Sequence, residues 1–124
     1  MKANKILFIT QEITPFTESS VMADHCRGML KGIIDKGHEI RTFMPKWGNI
    51  NERRNQLHEV IRLTGMNIVV DDTDHPLIIK VASIPTLRTQ VFFILNEDYF
   101  RNHLNTRDEN GNEYADNDER TIFF

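Results

Sequence analysis

Residues 5–45 read KILFITQEITPFTESSVMADHCRGMLKGIIDKGHEIRTFMP, and this stretch decides the fold. Its first six residues form a short apolar run rich in isoleucine and phenylalanine. That length and β-branched content predict a strand buried on both faces. Residues 11–20 are polar, hold Pro15 and predict a loop. Val21, Met22, Cys26, Met29, Leu30, Ile33 and Ile34 then recur at helical spacing, while Asp24, Arg27, Lys31, Asp35 and Lys36 take the other face. Ser19 or Ser20 is placed to cap the helix start. Lys36 sits in the last turn, and Gly37 supplies a left-handed stop. Residues 38–45 predict a second strand. Strand, helix, strand at this spacing is a βαβ unit with parallel strands and an expected right-handed crossover.

Further along, residues 46–49 predict a turn. Residues 56–63 mix apolar and charged types and suit either strand or helix. Residues 67–70 are strand-like, 71–74 (DDTD) read as a turn, and 76–84 and 90–95 read as strands. Short connections among these strands suggest a meander or hairpins added to the parallel unit. Residues 97–103 suit a short helix, and 106–115, with Asn110-Gly111, a mobile polar loop. Asp116 or Asn117 is placed to cap a helix that opens Asp118-Glu119-Arg120. The chain ends on Ile122, Phe123 and Phe124, the first apolar face of that helix. Short helices are marginal alone, so the expectation is a piece of a longer protein, against a tail tucked onto the sheet.

The chain has 124 residues, 15 Lys plus Arg against 18 Asp plus Glu, and 40% hydrophobic residues. These values bound it to one ordinary α/β domain at most. No apolar run approaches the ~18 residues of a membrane span, and the opening residues, with Gln11-Glu12 soon after the short run 6–9, predict no signal peptide. Residues 1–70 carry ten basic and seven acidic side chains, and residues 71–124 carry five and eleven. Nucleic acid is an unsuitable partner for that balance, since Arg53-Arg54 is too small a basic patch to neutralise phosphates. The single Cys26 excludes an intrachain disulfide and a multi-cysteine zinc site, which fits a cytoplasmic protein.

Several features follow in a fixed order: the strand 5–9, Gln11-Glu12-Ile13-Thr14-Pro15-Phe16, Ala23-Asp24, Gly37-His38-Glu39-Ile40-Arg41 and Met44-Pro45. They continue with Asn96-Glu97-Asp98-Tyr99-Phe100, then residues 114–120 (YADNDER) and Phe123-Phe124. In this order they resemble the starch and glycogen synthase family of GT-B glycosyltransferases. The matches span essentially the whole chain. The resemblance implies that residues 1–124 are an incomplete N-terminal Rossmann-like domain, with the active site in a cleft against a missing C-terminal domain. It implies glucose transfer, with retention, from ADP-glucose or UDP-glucose to an α-1,4-glucan, with no cofactor beyond the nucleotide-sugar substrate. It also places the family's later motifs, the catalytic Glu among them, beyond Phe124, so the isolated chain is expected to be inactive.

The family's Lys-x-Gly-Gly loop suits a diphosphate. A helix N-terminus offers free N–H groups, glycines allow close approach, and the lysine adds charge. Here Glu18 stands at the lysine position, and Ser20 and Val21 at the glycines. The charge is reversed, and a β-branched residue resists positive φ. The donor-phosphate loop is therefore read as degenerate; the alternative is that Glu18 faces solvent and another residue supplies the charge. Glu12, Glu18, Ser20 and Asp24 are the candidate donor- or substrate-binding residues. Glu12 and Asp24 either meet sugar hydroxyls or order the loop, or serve only as a strand end and a first-turn acid. A second class of function stays open, a non-catalytic glucan- or protein-binding half-domain derived from such a synthase. A small nucleotide-binding module is disfavoured, because no Gly-x-Gly-x-x-G or P-loop exists.

Other constellations read more simply. Tyr99 suits a core or rim position better than a glucan-stacking platform. Asp24-His25-Cys26 cannot pair a nucleophile with a base on a helix. Asp71, Asp72, Asp74 and His75 suit a turn before Pro76 better than a metal cluster. Residues 108–119 mimic a calcium loop, but Glu113 stands where that loop needs glycine. No metal is expected.

Overall fold

A computed structural model describes residues 2–100, 107 and 110–124. Strand β1 (Lys5–Ile9) leads through a loop to helix α1 (Val21–Asp35) and strand β2 (Glu39–Pro45). Strands β3 (His58–Glu59), β4 (Met66–Val70), β5 (Thr73–Ile84) and β6 (Thr89–Leu95) follow, and helix α2 (Asn117–Phe123) lies near the end. The ambiguous stretch 56–63 becomes β3 and one 3-10 turn, Ile61–Leu63.

The sheet runs β1-β2-β6-β5-β3, with β4 also on β5. β1 and β2 pair in parallel from Lys5↔Glu39 to Ile9↔Phe43, and β2 and β6 in parallel from Thr42↔Val91 to Pro45↔Ile94. β5 is antiparallel to β6, β4 and β3. The architecture is thus a parallel α/β unit with added antiparallel strands. The β4–β5 hairpin turns on Asp71 and Asp72 alone, both at positive φ, as a two-residue turn of the right-handed sheet requires. Thr73 and Asp74, read as turn residues, belong to β5.

Helix α1 is capped as its sequence requires. Ser20 is extended, its Oγ accepts from Ala23 N at 3.0 Å, and Gly37 after the helix has φ 82°. Its buried stripe is Ala23, Cys26 and Leu30, of which Cys26 and Leu30 pack into one core cluster with Ile40, Met44, Val91 and Phe93. Val21 and Met22 do not join it, and Val21 is 91% exposed. Val21 lies about 160° around the helix from Ala23, on the side away from the sheet.

The expectation of a strand buried on both faces fails for β1. It is an edge strand, and Leu7 and Ile9 are 63% and 59% exposed. Strand side chains alternate, and Ile6 and Phe8 meet the core while no described element covers Leu7. Residues 97–100 form a turn, with Phe100 N donating to Asn96 O at 3.0 Å. The rest of the helix expected over 97–103 lies outside the described residues, as do Thr106, Asp108 and Glu109 of the polar loop. Arg107 and Glu113 bridge that loop's base. Asp116 precedes α2 but makes no side-chain cap; its carboxylate goes to Arg120 instead. Phe123 is buried. No described helix is long and apolar enough to cross a membrane.

Candidate functional site

The loop after β1 is anchored from below. Ile13 and Phe16 are buried, and Ile13 O accepts from the N–H groups of Phe16 and Thr17 at 2.9 and 3.0 Å. The buried Trp47, two residues past β2, donates its indole N–H to Gln11 O at 3.0 Å. The loop therefore stands at the carboxyl ends of two parallel strands, the edge of an open α/β sheet where ligands bind.

Three of the four candidate residues meet there. Ser20 Oγ donates to Glu12 Oε2 at 3.0 Å while it caps α1. Asp24 accepts from Thr14 Oγ1 at 2.7 Å and from Ser19 Oγ at 2.8 Å. The Thr14 hydroxyl first, then that of Ser19, hold the Asp24 carboxyl below the usual carboxylate range. Both carboxylates thus brace the loop around the α1 N-terminus, where negative charge is favourable.

Glu18 stands apart from this cluster. It lines a recess of about 350 Å³ with Pro15, Phe16, Thr17, Asn49, Asn51, Arg54 and Asn55. Arg54 is brought there by an Asx-type turn, in which Asn51 Oδ1 accepts from Arg54 N at 2.8 Å and Asn51 O from Asn55 Nδ2 at 2.9 Å. The recess thus holds one carboxylate and one guanidinium. Sequence reasoning weighed Arg53-Arg54 only as a basic patch and missed this placement. The Asn51-to-Asn55 spacing was the one local signal.

A second recess, about 440 Å³, adjoins it through Asn51 and is lined also by Lys46, Gly48, Glu52, Asn96 and Glu97. Burial pushes the Lys46 amine down. An apolar groove of about 250 Å³ lies between Ile9, Pro45, Trp47, Phe100 and Phe124.

Tyr99 is 3% exposed, its hydroxyl 3.1 Å from His75 Nε2 and donating to Glu119 at 3.3 Å. Burial first, and then Glu119, raise its phenol. It is a core residue with no face for a sugar. His75 packs on the Tyr99 ring at 4.7 Å. Cys26 is buried with Sγ 3.2 Å from Thr10 Oγ1.

The sequence profile of the starch synthase catalytic domain matches residues 5–124. The chain belongs to the starch and glycogen synthase family. The glycogen synthase of Chlorobium limicola is 37% identical over 121 residues, covering 97% of this chain and 25% of that protein. That of Chlorobaculum tepidum is 35% identical over the same length and share. The chain therefore spans about a quarter of the length of these relatives. Its fold matches the catalytic domain of starch synthase IV from Arabidopsis thaliana, a structure bound to ADP and acarbose. The TM-score is 0.72 at 18% identity, over 98% of this chain and 24% of that one. In this synthase-family chain, Ala23 sits in the core and Asp24 braces the loop.

Proposed function

We propose that this chain forms one wall of the sugar-nucleotide crevice of a cytoplasmic glucan synthase. In that enzyme glucose passes from ADP-glucose or UDP-glucose to an α-1,4-glucan, with a C-terminal domain as the opposite wall. The observation that carries this is the braced loop at the carboxyl end of β1, with Glu12, Ser20 and Asp24 locked around the start of α1. Family membership and the ADP-bound structural neighbour support it. The relatives are four times as long, so the isolated chain is expected to bind weakly and to transfer no glucose.

Within this reading the loop binds its donor poorly. Glu18 places a carboxylate on the recess beside the loop, where a diphosphate would meet like charge. Arg54, on the same recess, is the residue positioned to offset it. Calorimetry with ADP-glucose tests this. Glu18→Lys is expected to tighten binding by about tenfold, and Arg54→Gln to weaken it. Equal affinities for wild type and Glu18→Lys would remove the degenerate-loop reading. The absence of binding in both would favour the second reading, a non-catalytic half-domain that binds glucan or protein, to which the charge reversal at Glu18 also points.

A further inference from the structure

Lys46 follows β2 directly, and its backbone N–H donates to Ile94 O at 2.8 Å, which fixes it beside β6. The residue is 7% exposed. Among the described residues its ammonium has one hydrogen-bond acceptor, the Trp47 carbonyl at 3.1 Å. An ammonium has three donors, and burying it against a single neutral acceptor is costly. Glu52, on the same lining, is already ion-paired with a second lysine, Lys80 of β5. The Lys46 ammonium therefore stands on the wall of the 440 Å³ recess with no ion-pair partner among the described residues. That recess opens at the carboxyl ends of two adjacent parallel strands, β2 and β6.

We propose that the Lys46 recess binds a phosphate monoester of a small polyol, with the Lys46 ammonium contacting the phosphate. The oxyanion supplies the acceptors that Lys46 lacks, and a charge-assisted contact of this kind is strong. Gly48 on the lining lets a ligand approach the backbone. Glu52 and Glu97 line the same recess. Carboxylate oxygens accept from hydroxyls, which selects a monoester bearing hydroxyls over inorganic phosphate. The volume suits a monosaccharide phosphate. This inference is independent of the donor reading, since it concerns a different recess, a different cation and a different ligand.

The test is an amide NMR titration of the 124-residue chain at constant ionic strength with glucose 1-phosphate, inorganic phosphate and glucose. Expected are saturable shifts at Lys46, Gly48, Leu95 and Asn96 with glucose 1-phosphate, weaker ones with inorganic phosphate, and none with glucose. Lys46→Met should lose at least about tenfold in affinity, whereas Lys36→Met, at the exposed end of α1, should lose none. A measurement on the wild type guards against a variant that fails to fold. Glucose 1-phosphate should protect Lys46, and not Lys36, from amine acylation read by mass spectrometry. Absence of saturable shifts, equal binding by folded Lys46→Met, or unchanged acylation of Lys46 would each overturn the proposal.

Discussion

The hydroxyl of Ser20 acts twice, accepting from Ala23 N and donating to Glu12. Both bonds are lost in Ser20→Ala. That change is expected to cost about 1 kcal/mol, typical of an N-cap, and to lower the melting temperature by about 4 °C. It should also free the Glu12 carboxylate and loosen residues 12–20, read as faster amide exchange there. An unchanged melting temperature would show that the cap does not hold the loop. The capping serine was legible in the sequence, because an N-cap is a local chemical signal. Lys46 and Arg54 were not. The burial of Lys46 comes with a contact far along the chain, Lys46 N with Ile94 O, and Arg54, set by its local turn, meets Glu18 only because the fold brings residues 15–18 to the same recess. Glu18 was legible as a charge reversal, and the structure adds the recess on which it acts.

At the scale of elements, α2 is held by one buried guanidinium rather than by a cap. Arg120 Nε donates to Tyr99 O at 2.6 Å, its Nη2 meets Asp116 at 2.6 Å, and its third arm reaches Asn117. Phe123 adds ring contacts with Tyr99 and Phe100. Replacing Arg120 by Met removes the cation and leaves a buried carbonyl and a carboxylate without it. The expected loss is about 3 kcal/mol, seen as a lower denaturation midpoint with early exchange of the α2 amides. A loss below about 0.5 kcal/mol would show that the phenylalanines alone dock the helix. Patterning had located α2 and all but the shortest strands. It misjudged β1, because an apolar run reads the same in an edge strand as in a central one. It also enrolled Val21 in the buried stripe, although the core face is set by Ala23, Cys26 and Leu30.

At the scale of the molecule, three recesses gather at the carboxyl ends of β1, β2 and β6, while the outer edge of β1 carries no described strand. The topology puts the braced loop, the Glu18–Arg54 recess and the Lys46 recess on one rim, and the proposed function assigns the braced loop and the Glu18–Arg54 recess to the donor. The parallel βαβ unit behind it was legible from residues 5–45. The hairpin strands were legible as strands but not in their order, because pairing of β6 with β2 joins segments some fifty residues apart. The measurement that bears most directly on this account is an amide NMR titration of the intact chain with ADP-glucose. The account predicts shifts concentrated in residues 12–24 and 49–55, the two segments that face each other across the Glu18 recess. Shifts centred instead on the β4–β5 hairpin, or on the exposed face of α1, would contradict it.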